Sequence, residues 1–175
     1  NNISKEYIES SEKLKSTNRD NIIGIQSQIW SETIRNEDIL DYMFMPNIIV
    51  FSQKAWSKDP KWMSVQDKNE REITLDYEWN KFRNTIGQRV LPMIENIYGG
   101  LSYDLPKPGG IIKNDSLYAN TAFPGLNIKY TLDGSLPNIE SMNYNDPFEI
   151  DQDDVIYLRL FDNKGRGGYP IQVDK

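Results

Sequence analysis

NIIGIQSQIWSE, residues 21–32, is the stretch that decides how the fold is interpreted. Its apolar residues predict a short buried strand over about residues 22–29, formed around Ile22, Ile23, Ile25 and Ile29. The stretch closes on Trp30 and Glu32. An indole can stack on the C–H face of a sugar ring, and a carboxylate accepts hydrogen bonds from its hydroxyls. Trp30 and Glu32 are therefore candidate sugar-binding residues, and a core tryptophan beside a solvated glutamate is the alternative.

Composition excludes several classes of function. The 175 residues suffice for one substantial domain or two small ones, and the net charge is −6 with scattered Lys and Arg, which argues against nucleic acid as a partner. No apolar run approaches the roughly 20 residues of a membrane span. The chain has no Cys and no His, so disulfides, thiol nucleophiles and Ser-His-Asp triads are excluded. We expect no metal site and no cofactor.

The first hundred residues are predicted to be mainly helical. Apolar spacing predicts helices at about 3–15, 46–56 and 74–98, the last kinked near Pro92 and stopped by Gly99-Gly100. A helix leading into a short buried strand is typical of a βα repeat, but a single strand needs neighbours to satisfy its backbone. Because the chain begins Asn-Asn without Met, we expect a processed product or an excised piece of a longer protein.

A second domain is predicted from residue 101 onward. The Pro- and Gly-rich run at 105–110 cannot be helical, and the segments after it are short, alternating and separated by turns such as Pro124-Gly125 and Asp133-Gly134. Strands are expected near 116–122, 128–132, 147–150, 155–161 and 169–173. The prediction is an α+β chain with domains 1–100 and 101–175, the second a small immunoglobulin-like β-sandwich.

Two blocks of sequence resemble glycoside hydrolase family 20, the β-N-acetylhexosaminidases and chitobiases. The first comprises residues 24–32, Met45-Pro46-Asn47 and Lys54-Ala55-Trp56-Ser57, similar to the last βα unit of that family's (β/α)8 barrel. The second comprises Leu105-Pro106, Pro108-Gly109, residues 122–125, residues 128–137 (IKYTLDGSLP) and Tyr144, similar to the β-sandwich appended to bacterial members. The chain thus resembles the carboxy-terminal part of such an enzyme.

The resemblance implies a substrate-assisted retaining mechanism, in which the 2-acetamido oxygen of a terminal N-acetylhexosamine attacks the anomeric carbon. It implies that Trp30 forms a wall of the sugar pocket and that Glu32 accepts hydrogen bonds from sugar hydroxyls. The catalytic Asp-Glu pair of the family is not found in this chain, so no catalytic residue is predicted here and the chain alone should be inactive. The resemblance also implies a periplasmic or extracellular location.

The chain departs from the family pattern at two places. Asn47 stands where the family usually has Arg, and Ser52-Gln53-Lys54 replaces Ala-Glu-Arg. An ion pair exchanged for neutral groups is energetically plausible. The predicted strand would also lack the upstream barrel as its partner. In the chain alone we expect it to pair with another chain, which allows self-association, or to fray or be remodelled.

Two other functions remain open on the sequence. A carbohydrate-binding module could present stacking faces on the sandwich, from Tyr118, Tyr130, Tyr144 and Tyr157, although tyrosines are also ordinary strand formers. A purely structural sandwich could support the barrel. Two further features favour solvated loops over ligand sites: Lys164–Gly168, and the acidic cluster Asp146, Glu149, Asp151, Asp153 and Asp154.

Overall fold

The computed structural model describes residues 21–174, and the helix predicted at about 3–15 lies outside them. The described part has two short helices and one long helix followed by a two-sheet β-sandwich, which confirms the predicted α+β class. None of the helices in this part is long and apolar enough to cross a membrane.

Two short helices follow the opening stretch. Helix α1 (Glu37–Phe44) begins at Asn36, whose side chain accepts a 2.9 Å hydrogen bond from the Ile39 backbone N–H. Helix α2 (Asn47–Trp56) starts directly after Pro46 and confirms the helix predicted at 46–56. Helix α1 was not predicted.

The long helix is built in three parts: α3 (Lys68–Thr85), a π-helical turn (Ile86–Val90) and α4 (Leu91–Ile94). It begins before the predicted residue 74, because the Asp67 side chain accepts from the Glu70 N–H at 2.9 Å and caps the first turn. The departure from regular α-helix is the π-helical turn, which lies just before Pro92, the residue at which a kink was predicted. The chain then leaves the helix through three residues with positive φ, Tyr98, Gly99 and Gly100.

The β-sandwich has two antiparallel sheets. The strands are β1 (Gly109–Lys113), β2 (Ser116–Asn120), β3 (Asn127–Thr131), β4 (Met142–Asn143), β5 (Phe148–Glu149), β6 (Tyr157–Phe161) and β7 (Ile171–Gln172). One sheet has the order β1-β2-β5 and the other the order β4-β3-β6-β7.

Strand β1 was not predicted, because Gly109-Gly110 ends a Pro- and Gly-rich run that is typical of a loop. In the structure a β-carbon on Gly110 would lie 2.6 Å from a Leu158 methyl, so the glycine lets the two sheets approach closely. The turn from β1 to β2 places Asn114 and Asp115 at φ 50° and 54°, which is the backbone of a tight hairpin.

The core of the sandwich continues into the long helix. Leu117, Leu158 and Leu160 are fully buried between the sheets, and Ile86, Leu91 and Ile94 belong to the same hydrophobic cluster. Phe82, Ile49 and Met45 pack against it from the helical side. The domain boundary at residues 100–101 stays a prediction, but the apolar core crosses it.

The long helix is held against the loop at 121–125 by contacts with the backbone of that loop. Arg83 donates from Nε to the Ala122 carbonyl at 2.6 Å and from Nη2 to the Thr121 carbonyl at 2.7 Å. Gly87 lies so close to Pro124 that no side chain fits between them.

Buried polar groups also connect the end of the long helix to the sandwich. The Tyr103 hydroxyl donates to Glu95 Oε1 at 2.6 Å, and burial is the main cause that raises the Tyr103 pKa above its usual value. Asp162, whose side chain is fully buried, accepts from Arg166 Nε at 2.6 Å. The Arg166 guanidinium in turn covers the Tyr103 ring at 4.7 Å. The loop at 162–166 is therefore tied to the end of the helix.

Two predictions about the first domain are wrong. Residues 22–29 form no strand, and all of residues 21–30 are exposed. The physical reason is the missing ladder: within residues 21–174 this segment pairs with no strand of either sheet, so its backbone groups gain no inter-strand hydrogen bonds. Helix α2 was expected to be buried, yet none of its residues is, because the described chain covers only one of its faces.

Candidate functional site

The opening stretch forms one wall of an open groove of about 800 Å³, which we call the Trp30 groove. Helices α1 and α2 form the other wall. The groove is lined by apolar side chains interspersed with amides and a hydroxyl, namely Ile25, Gln26, Ser27, Gln28, Ile29, Trp30, Leu40, Met43, Phe44, Asn47, Ile48 and Phe51. Such a mixture suits a ligand with both C–H faces and hydroxyl groups.

Trp30 is the most exposed of the aromatic residues that line this groove. Its side chain is 72 % exposed, so one face of the indole is free to stack on a ligand. The core-tryptophan alternative does not describe this structure, since Trp30 lies outside the hydrophobic cluster.

Glu32 lies apart from the groove. The Ile34 N–H donates to the Ser31 carbonyl at 3.1 Å, and this turn carries Glu32 and Thr33 at its centre. The Thr33 hydroxyl contacts the sulfur of Met43, a groove residue, at 3.9 Å, whereas Glu32 is not among the residues that line the groove. Glu32 is exposed. The structure thus places Trp30 in a groove but does not bring Glu32 into it.

Two of the positions that depart from the family pattern hydrogen-bond to nearby backbone carbonyls. Asn47 Nδ2 donates to the Met43 carbonyl at 3.4 Å, and Ser52 Oγ donates to the Ile48 carbonyl at 2.8 Å. The neutral groups therefore need no ionic partner at this point of the fold.

The four sandwich tyrosines do not form one stacking surface. Tyr130 and Tyr144 pack on Phe148, with ring centroids 4.8 Å and 6.2 Å away. Tyr157 donates its hydroxyl to Gln172 at 3.1 Å, and Tyr118 belongs to the other sheet.

The acidic cluster at 146–154 and the loop 164–168 each contain a side chain that is engaged within the fold. Asp154 accepts from the Asp151 N–H at 2.8 Å and closes a turn. Within residues 21–174, no group of three or more acidic side chains is arranged to hold a metal ion. In the loop 164–168, Arg166 is engaged by Asp162.

A second cleft, which we call the junction cleft, was not predicted. It encloses about 450 Å³ between the start of α1, the segment 102–105 and the loop 166–170. Tyr42 bridges its two sides by donating to Asp104 Oδ1 at 2.7 Å, while the Asp104 N–H donates to the Met45 carbonyl at 3.2 Å. The bond to Asp104, then partial burial and the nearby charge of Asp104, raise the pKa of Tyr42 to about 12.

Comparison with known proteins finds a match in each part of the chain. Residues 2–59 match the model of the glycosyl hydrolase family 20 catalytic domain, and residues 92–168 match that of the chitobiase/beta-hexosaminidase C-terminal domain. The chain therefore carries segments similar to two domains of family 20 enzymes. The resemblance seen in the sequence is confirmed over both blocks.

Two curated relatives agree with this assignment to family 20. The chain is 34 % identical over 119 residues to N,N'-diacetylchitobiase of Vibrio harveyi, covering 63 % of this chain and 13 % of that protein. It is 28 % identical over 168 residues to beta-hexosaminidase of Vibrio vulnificus, covering 86 % of this chain and 19 % of that protein. The chain therefore spans less than a fifth of the length of either relative.

Proposed function

We propose that this chain forms part of an exo-β-N-acetylhexosaminidase that removes terminal N-acetylhexosamine from chitooligosaccharides or glycans. The observation that carries the proposal is the order of the two family matches, catalytic-domain segment first and C-terminal domain second, on one chain. The exposed indole of Trp30 on a groove with polar and apolar lining supports it.

In this proposal the chain binds sugar and the bond-breaking residues lie elsewhere in the enzyme. Trp30 stacks on the ring of the terminal sugar. Glu32 accepts hydrogen bonds from sugar hydroxyls once the turn at 31–34 is held against the remainder of a barrel. The Asp-Glu pair of the family, which would orient the acetamido group and protonate the leaving oxygen, comes from an upstream barrel domain.

The sandwich has a supporting role in this proposal. Its core is continuous with Ile86, Leu91 and Ile94 of the long helix, so it stabilises the segment that follows the site. Periplasmic or extracellular location is part of the same proposal, because chitin fragments and glycan ends occur there. The uncovered apolar surface of residues 22–30 would make the isolated chain self-associate.

Hydrolysis of a chromogenic N-acetylglucosaminide tests the proposal. The 175-residue chain alone should show no activity, whereas a longer protein that joins it to a complete family 20 catalytic domain should be active. In that protein Trp30→Ala should lower kcat/KM by about 100-fold, since a buried stacking contact with the reacting sugar is lost. Glu32→Gln should lower it by about tenfold or more.

Trp56→Ala is the matched control, because Trp56 is 89 % exposed but does not line the groove. The proposal is wrong if the 175-residue chain hydrolyses the substrate by itself. It is also wrong if Trp30→Ala and Trp56→Ala have the same kcat/KM.

A further inference from the structure

We propose that the junction cleft is a second carbohydrate-binding site, for a neutral sugar unit, separate from the Trp30 groove. Its volume of about 450 Å³ lies within the range of small-molecule sites, about 300–1,000 Å³. No residue is shared between the linings of the two sites. The inference goes beyond the proposed hydrolase function and does not depend on it.

An aromatic face is available at the mouth of the cleft. Tyr169 is 63 % exposed although it lies in the loop that forms one wall. Tyr42 stands on the opposite wall; its hydroxyl donates to Asp104 and also interacts with the Tyr169 hydroxyl, so the Tyr169 ring face and not its hydroxyl is what the cleft offers to a ligand. The exposed Tyr169 ring can stack on the C–H face of a pyranose.

Hydrogen-bond acceptors for hydroxyl groups line the same space. The carboxylate of Asp38 makes no hydrogen bond or ion pair with another described residue, and only one oxygen of Asp104 is used by Tyr42. The Ser102 hydroxyl adds a group that can donate or accept. A flat aromatic face beside carboxylates is the combination that recognises a polyhydroxylated ring.

The two arginines of the cleft argue against an anionic ligand. Arg159 already donates to the carbonyls of Gly168, Pro137 and Gly167, at 2.6, 3.3 and 3.3 Å. Arg166 Nε is paired with the buried Asp162, and Arg166 Nη2, which has no hydrogen-bond partner, is itself buried and away from the open surface of the cleft. With Arg159 donating to three carbonyls and two carboxylates facing the space, a neutral ligand that donates hydrogen bonds fits better than a phosphate or a sulfate.

Titration of the full 175-residue chain with N,N',N''-triacetylchitotriose, followed by calorimetry and by amide chemical shifts, tests this site. Saturable binding is expected with a Kd of about 1 mM or below. Tyr169→Ala should weaken it by about tenfold, and Asp38→Asn by about threefold. Both side chains are exposed, so neither change should unfold the protein. Tyr77→Ala, which removes a comparably exposed tyrosine from α3, should leave the affinity unchanged.

Trp30→Ala separates this site from the groove. Binding that persists in Trp30→Ala and is lost in Tyr169→Ala supports the junction cleft, whether or not the longer protein hydrolyses its substrate. The inference is overturned if Trp30→Ala abolishes binding while Tyr169→Ala binds normally. It is equally overturned if the wild-type chain shows no saturation at about 20 mM sugar, or if sodium sulfate binds the cleft and the sugar does not.

Discussion

Gly87 touches the carbonyl of Pro124: a β-carbon at residue 87 would lie 1.9 Å from the Pro124 oxygen. The glycine sits in the π-helical turn of the long helix, and Pro124 begins a tight turn of the sandwich. The contact is backbone against backbone, so neither side can yield by rotating a side chain.

Gly87→Ala should therefore destabilise the chain although alanine favours helix. The clash must be relieved by moving the loop at 121–125 away from the helix, and overpacking of this kind costs about 1–3 kcal/mol. Urea denaturation followed by circular dichroism measures the change. Gly24→Ala is the control, since nothing lies within 4 Å of a β-carbon there. Equal stabilities of the two variants would show that the contact is loose in solution.

The ion pair between Asp162 and Arg166 should matter far more than a surface pair of the same spacing. Asp162→Ala leaves the Arg166 guanidinium without its charged partner and two N–H groups, of Lys164 and Arg166, without their acceptor. We expect a loss of about 3 kcal/mol in the free energy of unfolding.

Glu72→Ala is the comparison for that variant. It breaks an exposed i,i+4 pair with Lys68 at 3.9 Å and should cost no more than about 0.5 kcal/mol. Thermal unfolding of both variants under one buffer condition measures the difference. A Tm for Asp162→Ala as high as that of Glu72→Ala would contradict the structural role of the buried pair.

The hydrogen bond from Tyr42 to Asp104 should make stability fall at alkaline pH. The folded-state pKa of Tyr42, about 12, lies above the ordinary value of 10.0, so the folded state holds this proton more tightly than the unfolded state. The resulting stabilisation is complete below pH 10 and is lost as the pH rises towards 12.

Unfolding measured between pH 9 and 12 checks this prediction. Tyr42→Phe removes the titrating hydroxyl, so its stability should fall less steeply with pH than that of the wild type. Tyr98→Phe, at a side chain that is 96 % exposed, should follow the wild-type curve more closely. If Tyr42→Phe and the wild type lose stability in parallel, the bond to Asp104 does not persist in solution.

The sandwich should require the end of the long helix in order to fold. A chain of residues 67–175 retains Ile86, Leu91 and Ile94, whereas a chain of residues 101–175 exposes the core that these side chains cover. Removing three buried aliphatic side chains exceeds the marginal stability of a domain of this size. We expect a cooperative thermal transition for 67–175 and none for 101–175, as measured by calorimetry. A cooperative transition in the shorter chain would refute the prediction.

The elements that were predicted from the sequence are those that local patterns specify. Helix α2 follows a proline, the long helix repeats its apolar residues at threes and fours, and the strands around Ile128 and Leu158 alternate between glycine-containing turns. Local propensity gave the wrong prediction at Gly109-Gly110: Gly110 lies where the two sheets approach closely, and Gly109 lies against the Asn120 side chain of the neighbouring strand. It also did not indicate α1, which begins at the Asn36 cap.

The failures at the site have a different origin. The predicted strand at 22–29 needed a partner strand, and an apolar pattern carries no information on whether one is present. The junction cleft could not be found, because Tyr42, Asp104 and Tyr169 come from three distant parts of the chain and only the packed fold brings them together. Trp30 was predicted because an aromatic residue and a carboxylate follow an apolar run, and its role in binding sugar stays a prediction.

The contact between Gly87 and Pro124 also bears on how such proteins can be assembled from modules. Residue 87 lies in neither segment that matches a family model, yet it and Arg83 hold the sandwich to the helix. If the sandwich were joined to a different catalytic domain, the joined segment would have to include residues 82–94. Otherwise the sandwich would have to pack on a helix that has glycine at the position equivalent to residue 87. The structural module in this part of the chain is therefore the sandwich together with the end of the long helix.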